Sequence, residues 1–153
     1  MRGIVLAVAI AALVPVGTAR AQTAADSAGI RQAALDYIDG YWEGNAERME
    51  RALHPDLAKR IVRTAPSGQS GLQQMSAMTL VQVTRGGGGR NVPAAQRRSD
   101  VRILDIYYNA ASVRIDAGLW VDYLHVGKWN GQWKIVNVLW EMPPQPTPPQ
   151  SPR

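Results

Sequence analysis

Residues 120–141 read Trp-Val-Asp-Tyr-Leu-His-Val-Gly-Lys-Trp-Asn-Gly-Gln-Trp-Lys-Ile-Val-Asn-Val-Leu-Trp-Glu. β-Branched and aromatic residues dominate the stretch, which is the composition of a pleated, half-buried strand. At its centre stands Asn130-Gly131, a pair that tolerates positive φ at both positions and so favours a two-residue hairpin turn. The turn predicts strands at about 119–129 and 132–141 and sets a register in which Trp129 faces Gln132 and Lys128 faces Trp133. Continued without interruption, it opposes Val126 to Ile135, Leu124 to Asn137, Asp122 to Leu139 and Trp120 to Glu141. Val121, Tyr123 and His125 then share the other face with Val136, Val138 and Trp140. One β-bulge would shift this division.

Working back from the hairpin, further strands are expected at about 100–108 and 111–117, with turns at Asn109-Ala110 and near Gly118. Before Arg85 the periodicity is helical. Ile30, Ala33, Ala34, Tyr37, Ile38 and Tyr41 recur at helical spacing up to Gly44, predicting a first helix over about 30–43. Asn45 is a natural N-cap for a short second helix carrying Met49, Ala52 and Leu53, which His54-Pro55 ends. Leu72, Met75, Met78, Thr79 and Val83 predict a third helix over about 71–84. Helices first and strands last, with short connections, imply an α+β domain in which an antiparallel sheet carries helices on one face.

The first 21 residues read as an export signal. Arg2 supplies the positive end, Gly3 to Val16 the apolar run, and Ala19-Arg20-Ala21 the small-x-small cleavage pattern, so residues 1–21 are expected to be removed after Ala21. The apolar run is shorter than the roughly 20 residues that cross a bilayer. Export places the protein in the periplasm or outside the cell. Losing Arg2 and Arg20 lowers the formal charge from +5 to +3 and leaves 132 residues, one ordinary domain. Residues 22–29 read as a flexible N-terminus, 30–141 as the domain, and 142–153, rich in proline, as a disordered tail. With no cysteine, stability must come from the packed core without disulfides, and thiol chemistry and thiolate-held metal are excluded. Two isolated histidines match no metal-ligand spacing, so no metal or cofactor is expected. Arg85-Gly-Gly-Gly-Gly-Arg90 lacks the Gly-Lys-Ser/Thr ending of a phosphate loop, and the arginines beyond it lack the interleaved aromatics of a nucleic-acid platform. No nucleic-acid partner is expected.

The face that holds Trp120, Asp122, Asn137 and Glu141 among Leu124 and Leu139 has the composition of a small-molecule pocket, mostly apolar with a few convergent polar groups. The same residues also suit a hydrated outer face. His54 ends a helix and suits a local cap as well as a proton donor. His125 lies on the strand face opposite Asp122.

Asp122-Tyr-Leu-His-Val-Gly-Lys-Trp-Asn-Gly-Gln-Trp-Lys-Ile-Val-Asn137, together with Leu53-His-Pro-Asp-Leu57, resembles the family named "putative lumazine-binding", within the nuclear-transport-factor-2-like superfamily that also holds the ketosteroid-isomerase-like proteins. The resemblance spans about 30–141. It implies a cone-shaped α+β fold in which N-terminal helices pack into a curved antiparallel sheet, a pocket between helix one and the sheet, and a homodimer formed through the sheet. It brings no catalytic residue with it, because fold is a poor guide to chemistry.

Three roles fit these residues. In the first, a binding module, Tyr37, Tyr41 and Trp120 stack against a small apolar or aromatic molecule oriented by Asp122 and Asn137, with His54 and Glu141 as further candidate contacts. In the second, an isomerase or dehydratase, Asp122 takes a proton and Tyr41 or His54 gives one. The third is a dimeric interaction module whose cavity its own side chains fill.

Overall fold

The computed structural model describes residues 23–144, so the expected leader, the cleavage site and residues 145–153 of the proline-rich tail lie outside the described residues. Helix α1 spans Ala24–Glu43. It begins six residues before the apolar periodicity does, because the Thr23 side chain accepts the Asp26 backbone N–H and Asp26 adds a negative charge to the first turn. Gly44, at φ 62°, closes it in the left-handed conformation that glycine adopts without strain. Asn45 accepts the Arg48 N–H and starts α2, Ala46–Ala52. Arg48 also binds back to Asp36, Asp39 and Glu43, and Arg51 to Asp36, which locks the α1–α2 corner. Burial raises the Asp36 carboxyl's pKa, but the Arg51 and Arg48 hydrogen bonds outweigh it and hold the group below the ordinary carboxylate range.

Two strands follow that sequence periodicity does not announce: β1, Leu53–Thr64, and β2, Ser70–Ser76. They form an antiparallel hairpin closed by a turn in which Gly68 donates to the Ala65 carbonyl. The third helix, α3, is Ala77–Arg85 and not 71–84. The apolar residues Leu72 and Met75 lie on β2, and the helix begins only where the Ser76 hydroxyl accepts the Thr79 N–H. The remaining strands are β3 Asp100–Tyr107, β4 Ala110–Asp116, β5 Val121–Trp129 and β6 Gln132–Glu141.

The six strands run in the order β2-β1-β6-β5-β4-β3. The sheet is mixed, since β1 lies parallel to β6 while every other neighbouring pair is antiparallel. An all-antiparallel sheet is thereby corrected. The physical reason is that β1, arriving from α2, has to reach the free edge of β6, the last strand of the chain. Helix α1 packs on β6, β4 and β3, and α3 on β1 and β2. Ile30, Ala34 and Ile38 of α1 meet Val113, Ile115, Leu124, Val126, Ile135 and Val138 of the sheet, all at most 1 % exposed. Burying each large apolar side chain contributes about 1.5–3 kcal/mol against conformational entropy.

Asn130-Gly131 makes the turn, with φ of 50° and 78°, and the expected pairs Trp129–Gln132, Lys128–Trp133 and Val126–Ile135 form. Then the register shifts. Val136 is the extra residue of a β-bulge, after which His125 opposes Asn137, Leu124 opposes Val138 and Asp122 opposes Trp140. The uninterrupted register is overturned for a clear energetic reason. It would have turned Asn137 and Glu141 toward α1 and put Val138 and Trp140 outside, whereas the bulge exchanges these sets for one unpaired residue.

Candidate functional site

A cavity of about 320 Å³ opens between α1, α3 and the strands β1, β2 and β6, walled by Tyr37, Tyr41, Leu80, Trp120 and Trp140 around Lys59, with Met49, Met75 and Met142 among its other lining residues. Its volume is at the small end of the range typical for ligand sites. Every wall has a local cause. Tyr37 and Tyr41 are one helical turn apart on the buried side of α1. Trp120 precedes β5, and its ring stacks edge-on with Tyr41 at 5.6 Å and tilted with Trp42 at 5.0 Å. Trp140 enters the cavity wall because of the bulge.

The C-terminal end of α1 is braced by the glycine loop after α3. Gly89 donates to the Tyr41 carbonyl at 2.9 Å, and a Cβ at Gly89 would stand 2.2 Å from the Trp42 ring. Gly88 and Gly89 are therefore a packing surface for Tyr41 and Trp42, while Gly86 stays exposed.

At the floor of the cavity lies a buried ion pair. The Lys59 ammonium donates to Asp122 Oδ1 at 2.6 Å and to the Tyr37 hydroxyl at 2.6 Å. Tyr37 donates in turn to Asp122 Oδ2 at 3.2 Å, and the Trp120 indole N–H donates to the same oxygen at 2.7 Å. The Asp122 side chain is fully buried and that of Lys59 is 6 % exposed. The ammonium also sits 4.9 Å from the centroid of the Trp140 ring and 5.3 Å from that of Tyr37. Burial lowers the Lys59 pKa and Asp122 opposes that shift. Burial, then the Asp122 charge, raises the Tyr37 hydroxyl well above the ordinary phenol value and raises Tyr41 in the same direction. Both tyrosines keep their protons at neutral pH.

Of the seven residues singled out in the sequence, Tyr37, Tyr41, Trp120 and Asp122 come together here. Asn137, Glu141 and His54 do not. The bulge turns Asn137 to the outer face, where it accepts from Arg60 at 3.0 Å and lies 3.4 Å from His125. Glu141 is exposed and accepts the backbone N–H of Met142. His54 accepts the Asp56 backbone N–H and packs edge-on against Trp129, at the turn end of the β5–β6 hairpin and away from Asp122. Lys59, Trp140 and Met75 complete the site without having been marked by the sequence reading. The alternation Leu57, Lys59, Ile61 is the signal that points Lys59 inward.

A second depression, about 610 Å³ and open to solvent, runs along the first turns of α1 between Asp26, Asp36, Arg51 and Lys128. Its charged groups are already paired, Asp26 with Lys128 and Asp36 with Arg51. No helix among the described residues is long and apolar enough to cross a membrane.

Comparison with known proteins adds the lineage. The model of the family described as "Putative lumazine-binding" matches residues 25–141. The chain belongs to this lumazine-binding-type family. No curated protein sequence matches the chain. Among solved structures, a nuclear-transport-factor-2-like protein of unknown function from Shewanella baltica is 20 % identical, with a TM-score of 0.60 over 81 % of this chain and 99 % of that one. Another from Silicibacter pomeroyi is 17 % identical, with a TM-score of 0.56 over 80 % and 100 % of the two chains. A protein of unknown function with a cystatin-like fold from Nostoc punctiforme gives 17 % and 0.55 over 80 % and 94 %. At such identities the likeness establishes the fold, a nuclear-transport-factor-2-like α+β cone, and the lumazine-binding-type family shares it.

Proposed function

We propose that this lumazine-binding-type protein is exported and holds a small, largely apolar or aromatic molecule in the cavity between α1 and the sheet, without chemistry at Asp122. The observation that carries the reading is the state of Asp122 beneath an aromatic chamber. Both carboxylate oxygens are occupied by three donors, so the group is built as a fixed anchor for Lys59, Tyr37 and Trp120. A general base would have to surrender the ammonium first. Of the two donors that an isomerase or dehydratase could pair with Asp122, His54 sits at the far end of the hairpin, and Tyr41 lines the cavity where both Asp122 oxygens are already hydrogen-bonded. The family description supports ligand binding without naming this chain's ligand.

The outer sheet face supports the proposed homodimer. Val62, Tyr123 and Leu139 are each about half exposed on it, and Arg60 and Arg114 are interspersed among them. Native mass spectrometry of the protein purified from its own exported fraction tests all three parts. The expected species is a dimer of chains that begin at Gln22 and retain a small molecule, with the bound mass lost in Leu119→Trp, which blocks the cavity at its rim. An empty protein that also takes up no aromatic probe would refute the binding reading. A monomer would refute the dimer, and an intact leader the export.

A further inference from the structure

One cation at the edge of the cavity has no anion to match it. On β1 the inward alternation of Lys59 and Ile61 continues to Arg63, and the partners of these three on β2 are Met75, Gln73 and Gly71. Lys59, Ile61, Gln73 and Met75, together with Gln74 and Trp140, line a second chamber of about 220 Å³, which shares Lys59, Met75 and Trp140 with the 320 Å³ cavity. The two chambers therefore adjoin at Trp140. Both cations of the row reach that ring: the Lys59 ammonium lies 4.9 Å from its centroid and the Arg63 guanidinium carbon 5.4 Å.

The two cations differ in what balances them. Lys59 is neutralised by Asp122 at 2.6 Å. Arg63 pairs with no carboxylate among the described residues, and its guanidinium donates to Met142 Sδ at 3.5 Å, a weak acceptor. Glu141, beside Met142 in the chain, is exposed and accepts the Met142 backbone N–H instead. An exposed arginine is ordinarily only hydrated. This one rests on two side chains that line the cavity, the Trp140 ring and the Met142 thioether, so its planar fork of donors is held at the rim. Across the hairpin Gly71 presents no side chain to it, and Gln73, the next inward residue of β2, is exposed and brings a carboxamide to the same edge. Gln74 is engaged elsewhere, accepting from Arg60 at 2.8 Å.

Building on the binding reading above, we infer that the ligand is an amphiphilic carboxylate, with its apolar body in the 320 Å³ cavity and its carboxylate at the Trp140–Met142 rim, received by Arg63 with Gln73 as a further donor. The guanidinium fork suits the two oxygens of a carboxylate, and because Arg63 stays at the solvent edge the pair forms without the desolvation cost of a buried one. A cationic end group would be repelled there, and a neutral one would gain no charge-assisted bond. Three probes that differ in the end group test this on the full purified chain: 3-(1-naphthyl)propanoate, its neutral amide, and 3-(1-naphthyl)propylamine, a cation at neutral pH. By calorimetry at low salt the acid should bind about tenfold tighter than the amide and the amine weakest, with the acid's advantage shrinking as salt is raised. Arg63→Gln should cut that advantage to about twofold or less and leave the amide's affinity within about twofold, whereas Arg60→Gln, on the outer face of the same strand, should leave the advantage intact. Should Arg63→Gln not fold, the ranking of the three probes and its salt dependence on the unaltered chain decide. Equal binding of acid and amide overturns the inference and leaves the binding reading intact. An acid preference that survives Arg63→Gln, or that falls equally in Arg60→Gln, overturns the assignment to Arg63. No binding of any probe overturns the inference and the binding reading together.

Discussion

Replacing Lys59 by Met keeps an unbranched side chain, one atom shorter, and removes its charge from the floor of the cavity. At 2.6 Å and an effective dielectric of about 20, the Coulomb attraction between Lys59 and Asp122 is about 6 kcal/mol. The substitution loses that term and regains the several kcal/mol spent on desolvating the ammonium. It also leaves a fully buried carboxylate with only Tyr37 and Trp120 as donors, and the net cost of breaking a buried pair in this way is about 3–5 kcal/mol. Against the 5–15 kcal/mol typical of a whole domain, that is a large share. Urea unfolding followed by far-ultraviolet circular dichroism and tryptophan fluorescence should therefore show a midpoint sharply lowered at unchanged slope. The companion variant Lys59→Met/Asp122→Asn removes the stranded charge while keeping an acceptor for Trp120 and Tyr37, so it should be destabilised by at least about 2 kcal/mol less than the sum of the two single substitutions. A loss below about 1 kcal/mol in Lys59→Met, or additivity within about 0.5 kcal/mol in the double variant, would refute the ion pair as the organising feature of the site.

The bulge at Val136 is tested by two adjacent positions: Val138→Asp puts a charge into the fully buried core and should unfold the domain, whereas Asn137→Asp, on the outer face beside Arg60, should change stability by less than about 1 kcal/mol. The uninterrupted register would make Val138 the tolerant site, so equal melting temperatures for the two variants would count against the bulge. At the N-terminus, the hydrogen bond from Lys128, with further bonds from Thr23 and Trp133, lowers the Asp26 pKa from 3.8 to about 2. A depressed carboxyl pKa contributes stability that is complete above the unfolded value and is lost as pH falls through the folded one. Asp26→Asn should flatten the acid limb of the stability profile between about pH 4 and 2, and an unaltered limb would show that the Lys128 contact contributes nothing.

Parts of the fold and site were legible locally, and their failures are instructive. Gly44 and Asn45 mark the α1–α2 corner because caps are made by neighbours in sequence. Leu72 and Met75 imitated a helix because a seven-residue strand next to a nine-residue helix offers too few apolar positions to separate a period of 2 from one of 3.6. Strand β1 was hidden by the residue that matters most. Lys59 occupies an inward position between Leu57 and Ile61, and a charge there breaks the apolar alternation by which a strand is recognised. Its partner Asp122 lies 63 residues away, so nothing near Lys59 in the chain announces that the charge is compensated.

By itself, the sequence determined what short-range physics controls: the α+β class, the glycine stop of α1, the Asn130-Gly131 turn and the placement of Tyr37 and Tyr41 one turn apart. Only the tertiary structure decided the parallel docking of β1 on β6, the bulge that carries Trp140 inward and Asn137 outward, and the burial of Lys59 against Asp122. These depend on comparing alternative global packings, in which one unpaired strand residue or one buried charge is tolerated because distant segments recover its cost. That comparison is a property of the assembled core, and no window of neighbouring residues contains it.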